Sequence, residues 1–450
     1  MKKGILLLFL LTGFLFRAFA QLQVGSVTVT PSVLTSNLHV PWELVWGPDN
    51  FIWMTERSGR ISRVNPASGQ VTPLLTIPDV QSTSESGLLG MVLHPDFSQH
   101  PYVYTAYTYN KPGGSLTEKL VRFTYNGTTL TSPIILLDNI AASSIHNGSR
   151  LLILPDHTLL MTTGDASNTS TSQNPNSLNG KILRLNLDGT VPADNPVPGS
   201  YVYAIGHRNP QGLLRAPNGL LYSSEHGPNN DDELNLIESN RNYGWPTVHG
   251  FCDLPAEQTF CTANNVKEPL VAWTPTIAVA GIAYYNHPAI PGWQHSILMN
   301  TLKGSHLRRL ELDAAGTAVV SQTVYLNGTY GRLRSICISP SGKVYLGTSN
   351  ANNNDKIIVL ENLAFSPSGN SKEKPTKSFT VISGQANKQL RLKFSPGYRN
   401  EQVALYNLQG QKLLERNIPL NLEIDLPVNN LAAGLYLIRA GETVQKVMLR

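Results

Sequence analysis

Four stretches of this 450-residue chain bring together residue types that do chemistry. His146, in SSIHNGSR, can take a proton near neutral pH, worth roughly 10²- to 10⁴-fold in rate when it acts as a general base. Asp165, at the end of TTGD, is suited to orient that imidazole and to stabilise it when charged. Arg208 and Asn209, in AIGHRNPQG, place a planar fork of donors and an amide just before a proline that fixes the turn. Such a set suits a quinone oxygen, a carboxylate or a phosphate. SSEHGPNNDDELN (223–235) joins a Gly-Pro turn to carboxylates and free carbonyls. These are the hard oxygen ligands calcium takes, although the spacing is not that of an EF-hand. Lys303, Arg332 and Arg334 add three cations late in the chain. Two apart on an expected strand, Arg332 and Arg334 would share a face, and with no acid beside them they point to a multiply charged anion. Each group also has an ordinary reading, as a surface histidine, a capped turn, a solvated acidic loop or a solvated basic face.

The elements that would hold these groups recur along the chain. WGPDNFIWMTE, LHPDFSQHPYVYTAYTY, LLILPDHTLLMTTGD, RAPNGLLYSSEHG and ISPSGKVYLGTS share an apolar approach, a proline with turn-forming neighbours and then a strand; YNHPAIPGWQHSILMNTL is a looser copy. The anchoring residues are Pro48, Pro95, Pro155, Pro217, Pro288 and Pro340. Further strands with period-2 alternation follow in GRISRVN, LVRFTY and KILRLNL, and no helical period is sustained in this region. Six copies predict an all-β fold, a six-bladed β-propeller, which closes repeated sheets without long exposed edges. An array of β-sandwiches is the competing arrangement. In a propeller the chemistry-bearing stretches would start from loops near strand ends and face the central channel.

Composition excludes a disordered chain, a coiled coil and collagen, because 41% of residues are hydrophobic, 14% are charged and Gly 36 and Pro 30 supply frequent turns. The apolar run from Gly4 to Phe16 is shorter than the roughly 20 residues that span a bilayer. With Lys2 and Lys3 before it and Ala18-Phe19-Ala20 after it, residues 1–20 read as a secretory signal peptide and no transmembrane segment is expected. Losing Lys2, Lys3 and Arg17 leaves 32 basic against 30 acidic residues, so no nucleic-acid partner is inferred. Three cysteines make no disulfide scaffold; Cys252 and Cys261 are close enough in sequence to pair, and Cys337 lies in an apolar strand where burial as a free thiol is expected. The propeller is assigned to 21–363 and a Ser-, Pro- and Lys-rich linker to 364–377. Residues 378–450 read as a small C-terminal β-sandwich that has no His, no Cys and no expected chemistry.

Together and in this order, GLLGMVLHPDF, HNGSRLL, TTGD, GHRNPQGL, SSEHGPNNDDELN, NYGWP and the paired arginines resemble a known family. It is the soluble, pyrroloquinoline quinone (PQQ) dependent sugar dehydrogenases of the glucose/sorbosone dehydrogenase group, and the resemblance runs from about Val40 to Leu360. It implies an oxidoreductase that oxidises the C1 hydroxyl of an aldose to a lactone, passes hydride to PQQ with calcium assistance and hands electrons to an external acceptor. His146 matches the base at the sugar hydroxyl and Asp165 the acid supporting it. Arg208 and Asn209 match the groups at the quinone oxygens, Arg208 counting among the catalytic residues. Thr276 matches a PQQ contact, and Lys303, Arg332 and Arg334 match the cations that bind the cofactor carboxylates. Gly227 and Pro228 match the carbonyls holding the calcium on PQQ, and Glu233 and Tyr243 match part of a second, structural calcium site. A homodimer is compatible with this resemblance.

Three positions depart from the family pattern: Ile145 replaces an acid beside the histidine, Glu85 replaces Gln, and Ser335 replaces the acid after the second arginine. Glu85 and Ile145 fall with His146 on the substrate side, so an aldose of relaxed identity is expected instead of glucose. The tail, with ALYNLQGQ, LAAGLYLIRA and QKVMLR, resembles the C-terminal sorting domain of the type IX secretion system. That implies passage through the periplasm and over the outer membrane, followed by surface attachment or release. Two other functions keep part of this pattern. A calcium-dependent lactone or ester hydrolase would need His146 and calcium but not the three cations; a non-catalytic extracellular binding propeller would need neither.

Overall fold

The computed structural model describes residues 21–351, 353–366, 379–383, 389–394, 402–418, 423–440 and 443–449. The expected signal peptide and linker residues 367–377 lie outside the described residues. The chain parts between Ala364 and Phe365 into two compact units.

In the first unit, residues 41–76, 88–141, 151–205, 210–273 and 279–325 each fold into a four-stranded antiparallel sheet. A sixth sheet joins Leu333–Ile338, Val344–Thr348 and Asp355–Glu361 to two strands from the other end of the unit, Val27–Leu38 and Leu22–Val24. The first strands, Pro41–Trp46, Leu88–Leu93, Leu151–Ile153, Pro210–Arg215, Val279–Tyr285 and Leu333–Ile338, pack each against the next and the last against the first. The six sheets therefore stand in a ring.

Burial explains why the strands read as they do. Ile52–Glu56 and Thr158–Thr163 are buried at every position because each sheet is covered on both faces. Trp53 packs with Leu88, Met91 and Val103 of the second sheet, while Ile52 and Met54 pack with Tyr345 and Ile357 of the closing sheet. The same division puts Leu159 and Met161 against Tyr104 and Ala106, and Leu160 against Leu213. Successive side chains point to opposite faces, so near-continuous apolar runs fill two cores at once.

All six anchoring prolines lie between the first and second strands of a sheet, at one end of the ring. One helix departs from the expected all-strand pattern. Pro255–Asn264 interrupts the fourth sheet, with Pro255 in its first turn and the Glu257 carboxylate accepting the amides of Leu254 and His249. A ten-residue helix with little amphipathic pattern is held by its ends, and periodicity did not reveal it. The Cys252–Cys261 disulfide ties this helix to the preceding loop, and Cys337 is free and buried.

The second unit has two sheets. Phe379–Ser383, Gln389–Phe394 and Glu423–Pro427 form one; Lys412–Asn417, Gln402–Tyr406, Gly434–Ala440 and Thr443–Leu449 form the other. Phe379, Leu392 and Phe394 from the first share a core with Val403, Leu405 and Ile438 from the second.

Candidate functional site

The ring brings the chemistry-bearing residues to its other end, away from the prolines. Glu85, His146, Arg208, Asn209, Thr276 and Arg332 sit just before first strands; Asp165, Gly227, Pro228 and Lys303 sit just after second strands. Because those strands are antiparallel, the start of one and the end of the next share an edge of the ring. Residues scattered over some 250 positions thereby face one opening.

His146 and Asp165 form the centre of the group. His146 adopts φ +59°, a left-handed conformation that a non-glycine residue rarely holds without surrounding constraint. Its Nδ1 lies 2.9 Å from Asp165 Oδ1, and its carbonyl accepts the amide of Ala166 at 3.0 Å. Gly164 lets these segments approach: a Cβ there would stand 1.9 Å from the His146 carbonyl oxygen. Asp165 is 1% exposed, and its Oδ2 accepts Trp245 Nε1 at 2.9 Å. A carboxylate on Nδ1 assigns the ring proton to that nitrogen and leaves Nε2 as the basic atom. The His146 amide donates to Glu85 Oε2 at 3.3 Å.

Arg208 and Asn209 are held by Glu225, whose Oε1 accepts both of their amides while Oε2 meets His207 Nδ1 at 2.7 Å. Asn209 Oδ1 accepts from Gly148 and Gln211, but its Nδ2 and Arg208 Nε are buried donors without a partner. Such orphans are costly unless a bound group supplies acceptors. Burial pulls the Arg208 guanidinium below its usual range, against the attraction of Asp165 and Glu225.

Lys303 Nζ donates to Thr276 Oγ1 at 3.1 Å, which joins two of the expected contact residues. The arginine pair differs from its expectation. Arg332 precedes the strand and is exposed, whereas Arg334 is 4% exposed and donates to Gln211 Oε1 and Ser349 Oγ. A register shift between Leu333 and Ser335 ends the simple alternation that would have put both on one face. Nor are they without an acid, for Glu85 lies within reach of the Arg334 charge. Burial, with Arg57, Arg332 and Arg150 nearby, pulls Arg334 down to about 9 despite that attraction. Burial alone would raise the Glu85 carboxyl, but His226, Arg334 and the His146 amide hold it below its ordinary value.

A family model described as Glucose / Sorbosone dehydrogenase matches residues 38–359. The chain belongs to the glucose/sorbosone dehydrogenase family. It is similar to Quinoprotein glucose dehydrogenase B of Acinetobacter calcoaceticus, with 34% identity over 72% of this chain and 86% of that protein. It is also similar to Aldose sugar dehydrogenase YliI of Escherichia coli, at 30% identity over 73% and 92%. Among solved structures, the PQQ-bound form of an aldose sugar dehydrogenase from Streptomyces coelicolor aligns with TM-score 0.64 and 34% identity, covering 74% of this chain and 98% of that one. A second model, a secretion system C-terminal sorting domain, matches residues 386–450.

At the same end of the ring, Gly227 and Pro228 of the expected metal residues lie in a tight loop. Gly227 donates to Asp232 Oδ1 at 2.9 Å, and a Cβ on it would stand 2.0 Å from the Asn230 carbonyl oxygen. Glu233 lies opposite Glu225 in the strand pair, and burial together with that like charge pushes its carboxyl up to about 8. The Tyr243 hydroxyl is committed, donating to the Leu236 carbonyl and accepting the Glu238 amide, so its side chain is not a free ligand. Among the described residues no group of three His, Cys, Asp or Glu side chains is arranged to hold a metal.

Reading the sequence missed Trp245, Glu225, Gln211 and Arg57. The motif NYGWP contained the first, but nothing about an isolated tryptophan announces a hydrogen bond to an acid 80 residues away. A cavity of about 670 Å³ opens at the proline end among Trp46, Pro48, Pro95 and Pro340 and contains none of the expected site residues. There Arg150 and Glu43 form a buried ion pair at 2.5 Å, and burial raises the Glu43 carboxyl.

Proposed function

We propose that the chain is an exported PQQ-dependent aldose dehydrogenase that oxidises the C1 hydroxyl to a lactone. On this reading the ring of six sheets is a six-bladed propeller and the second unit a β-sandwich that directs type IX secretion. The observation that carries the reading is the His146–Asp165 pair standing at the same opening as Lys303, Arg332 and Arg334. A proton acceptor beside clustered cations suits a base working next to a multiply charged anionic cofactor.

His146 Nε2 takes the proton of the C1 hydroxyl, and Asp165 holds the ring and stabilises the imidazolium that forms. PQQ bound here would supply the two-electron oxidant for the C1 hydride, and an external acceptor would be needed to reoxidise it. The orphaned donors of Arg208 and Asn209 fit its ring oxygens, and Lys303 with Thr276, Arg332 and Arg334 fits its carboxylates. Gly227 and Pro228 would hold calcium through backbone carbonyls. Glu233 would contribute a carboxylate to a second, structural calcium site. Glu85 and His146 would face the sugar.

The test is reconstitution of the purified apoprotein with PQQ, calcium ions or both, with dye reduction followed over a panel of aldoses. Activity that requires PQQ and is raised by calcium is expected. Absence of tight PQQ binding by fluorescence titration would overturn the reading.

A further inference from the structure

We propose that Trp245 is a positioning residue of the proton-transfer pair, fixing the carboxylate that orients His146; this rests on the reading of His146 as the base. Asp165 divides its oxygens between two tasks. Oδ1 meets His146 Nδ1 at 2.9 Å and the Ser167 amide at 2.8 Å, while Oδ2 accepts Trp245 Nε1 at 2.9 Å. At 1% exposure the carboxylate has no solvent to replace a lost donor. Rotation about its Cβ–Cγ bond would break both contacts, so the indole N–H locks the plane in which Oδ1 faces the imidazole.

The indole is itself immobilised. Its amide donates to the Gly206 carbonyl at 3.0 Å, and its own carbonyl accepts Gln173 Nε2 at 2.7 Å. Its ring lies 5.3 Å from the Arg208 guanidinium and stacks on the His249 ring at 5.2 Å. Packing alone would be met by any aromatic ring; only the link to Asp165 requires the N–H. Trp245 thereby connects the acid that orients the base to the arginine assigned to the cofactor.

Replacing Trp245 by Phe removes the donor and keeps an aromatic ring. The carboxylate charge is then less shared, which favours imidazolium and moves the acid limb of kcat/KM to higher pH. The other charged groups around the pair, Glu85 at the His146 amide and Arg208 beside Asp165, remain in the variant.

The experiment compares W245F with the natural protein, both as full chains. In the cofactor-free protein, ¹⁵N-histidine NMR reads the His146 tautomer, identified by the signal missing in H146A. With PQQ and calcium added, kcat, KM and the pH profile are read. A mixed tautomer, a kcat lower by about tenfold, an unchanged KM and an acid limb raised by about half to one unit are expected. A natural tautomer and pH profile, with any loss confined to KM or PQQ affinity, would overturn the proposal by reducing Trp245 to packing. Should W245F not fold, benzothienylalanine at position 245, which keeps the ring shape and lacks the N–H, gives the same two readings. The underlying reading fails separately: if H146A turns over normally, His146 is not the base, whatever W245F does.

Discussion

Glu85 puts a negative charge among the cations that we assign to the cofactor carboxylates. Its carboxyl is held below its ordinary value against the cost of burial by His226, Arg334 and the His146 amide, so it is ionised at neutral pH and repels an incoming anion. Glu85→Gln keeps an oxygen for the His146 amide while removing the charge. PQQ affinity in fluorescence titration should rise by on the order of tenfold, as for one unit charge several ångströms away at an effective dielectric near 20. Unchanged affinity would mean that Glu85 does not face the bound anion. At the base itself, His146→Ala should lower turnover at least about a hundredfold with PQQ binding nearly intact; loss of cofactor binding instead would remove the base assignment. The residue types at His146, Asp165 and Arg208 were legible because their chemistry travels with the side chain. The neighbour of Arg334 was not, since Glu85 lies in another sheet's loop and sequence shows only adjacent acids.

A strand buried on both faces can carry an ionisable group that no loop exposes, and Glu118 is such a case. It lies in Leu116–Tyr125, fully buried, and accepts the hydroxyl of Ser149, three residues after His146. Burial pushes its carboxyl up to about 8 from an ordinary value of 4.5. A carboxyl that binds its proton more tightly when folded contributes stability that is complete below 4.5 and is lost as pH rises through about 8. Thermal melts should therefore show Glu118→Gln matching the natural protein at pH 5 and melting higher at pH 9. Equal melting temperatures at both would show that Glu118 stays charged inside the sheet. The strands themselves were readable as apolar runs bounded by turns; alternation followed burial in half-exposed ones such as Gln389–Phe394, with its strict exposed–buried pattern, and it also picked out Lys181–Asn186, whose polar Lys181 and Arg184 are themselves buried. In the ring both faces are core, so period 2 there separates one core from the next instead of core from solvent. The helix Pro255–Asn264 escaped for the opposite reason, because it is short and mostly exposed.

At the scale of the molecule, the six prolines revealed the repeat because a proline in each first turn is a local feature, and counting local features needs no knowledge of pairing. What closes the ring is not local. Val27–Leu38 pairs antiparallel with Asp355–Glu361, joining segments more than 300 residues apart. The junction is reinforced by Asp355, fully buried, whose Oδ2 accepts the Val40 amide at 3.0 Å and whose Oδ1 accepts Thr348 Oγ1 at 2.7 Å. Deleting residues 21–38 would expose the edge of Asp355–Glu361 and strip buried Val24, Val29 and Leu38 from the core. Three aliphatic side chains at about 1.5–3 kcal/mol each correspond to a melting temperature lower by roughly 5–15 °C, before the lost ladder is counted. The bare edge should also make the truncated protein aggregate, since unpaired strand edges template association. A synthetic peptide of residues 21–40 added in trans should restore both melting temperature and monodispersity by refilling the same register. If the truncated protein melts normally, then the ring holds without its closing strand, and the first-strand contacts around the opening are sufficient to keep His146 and the cations together.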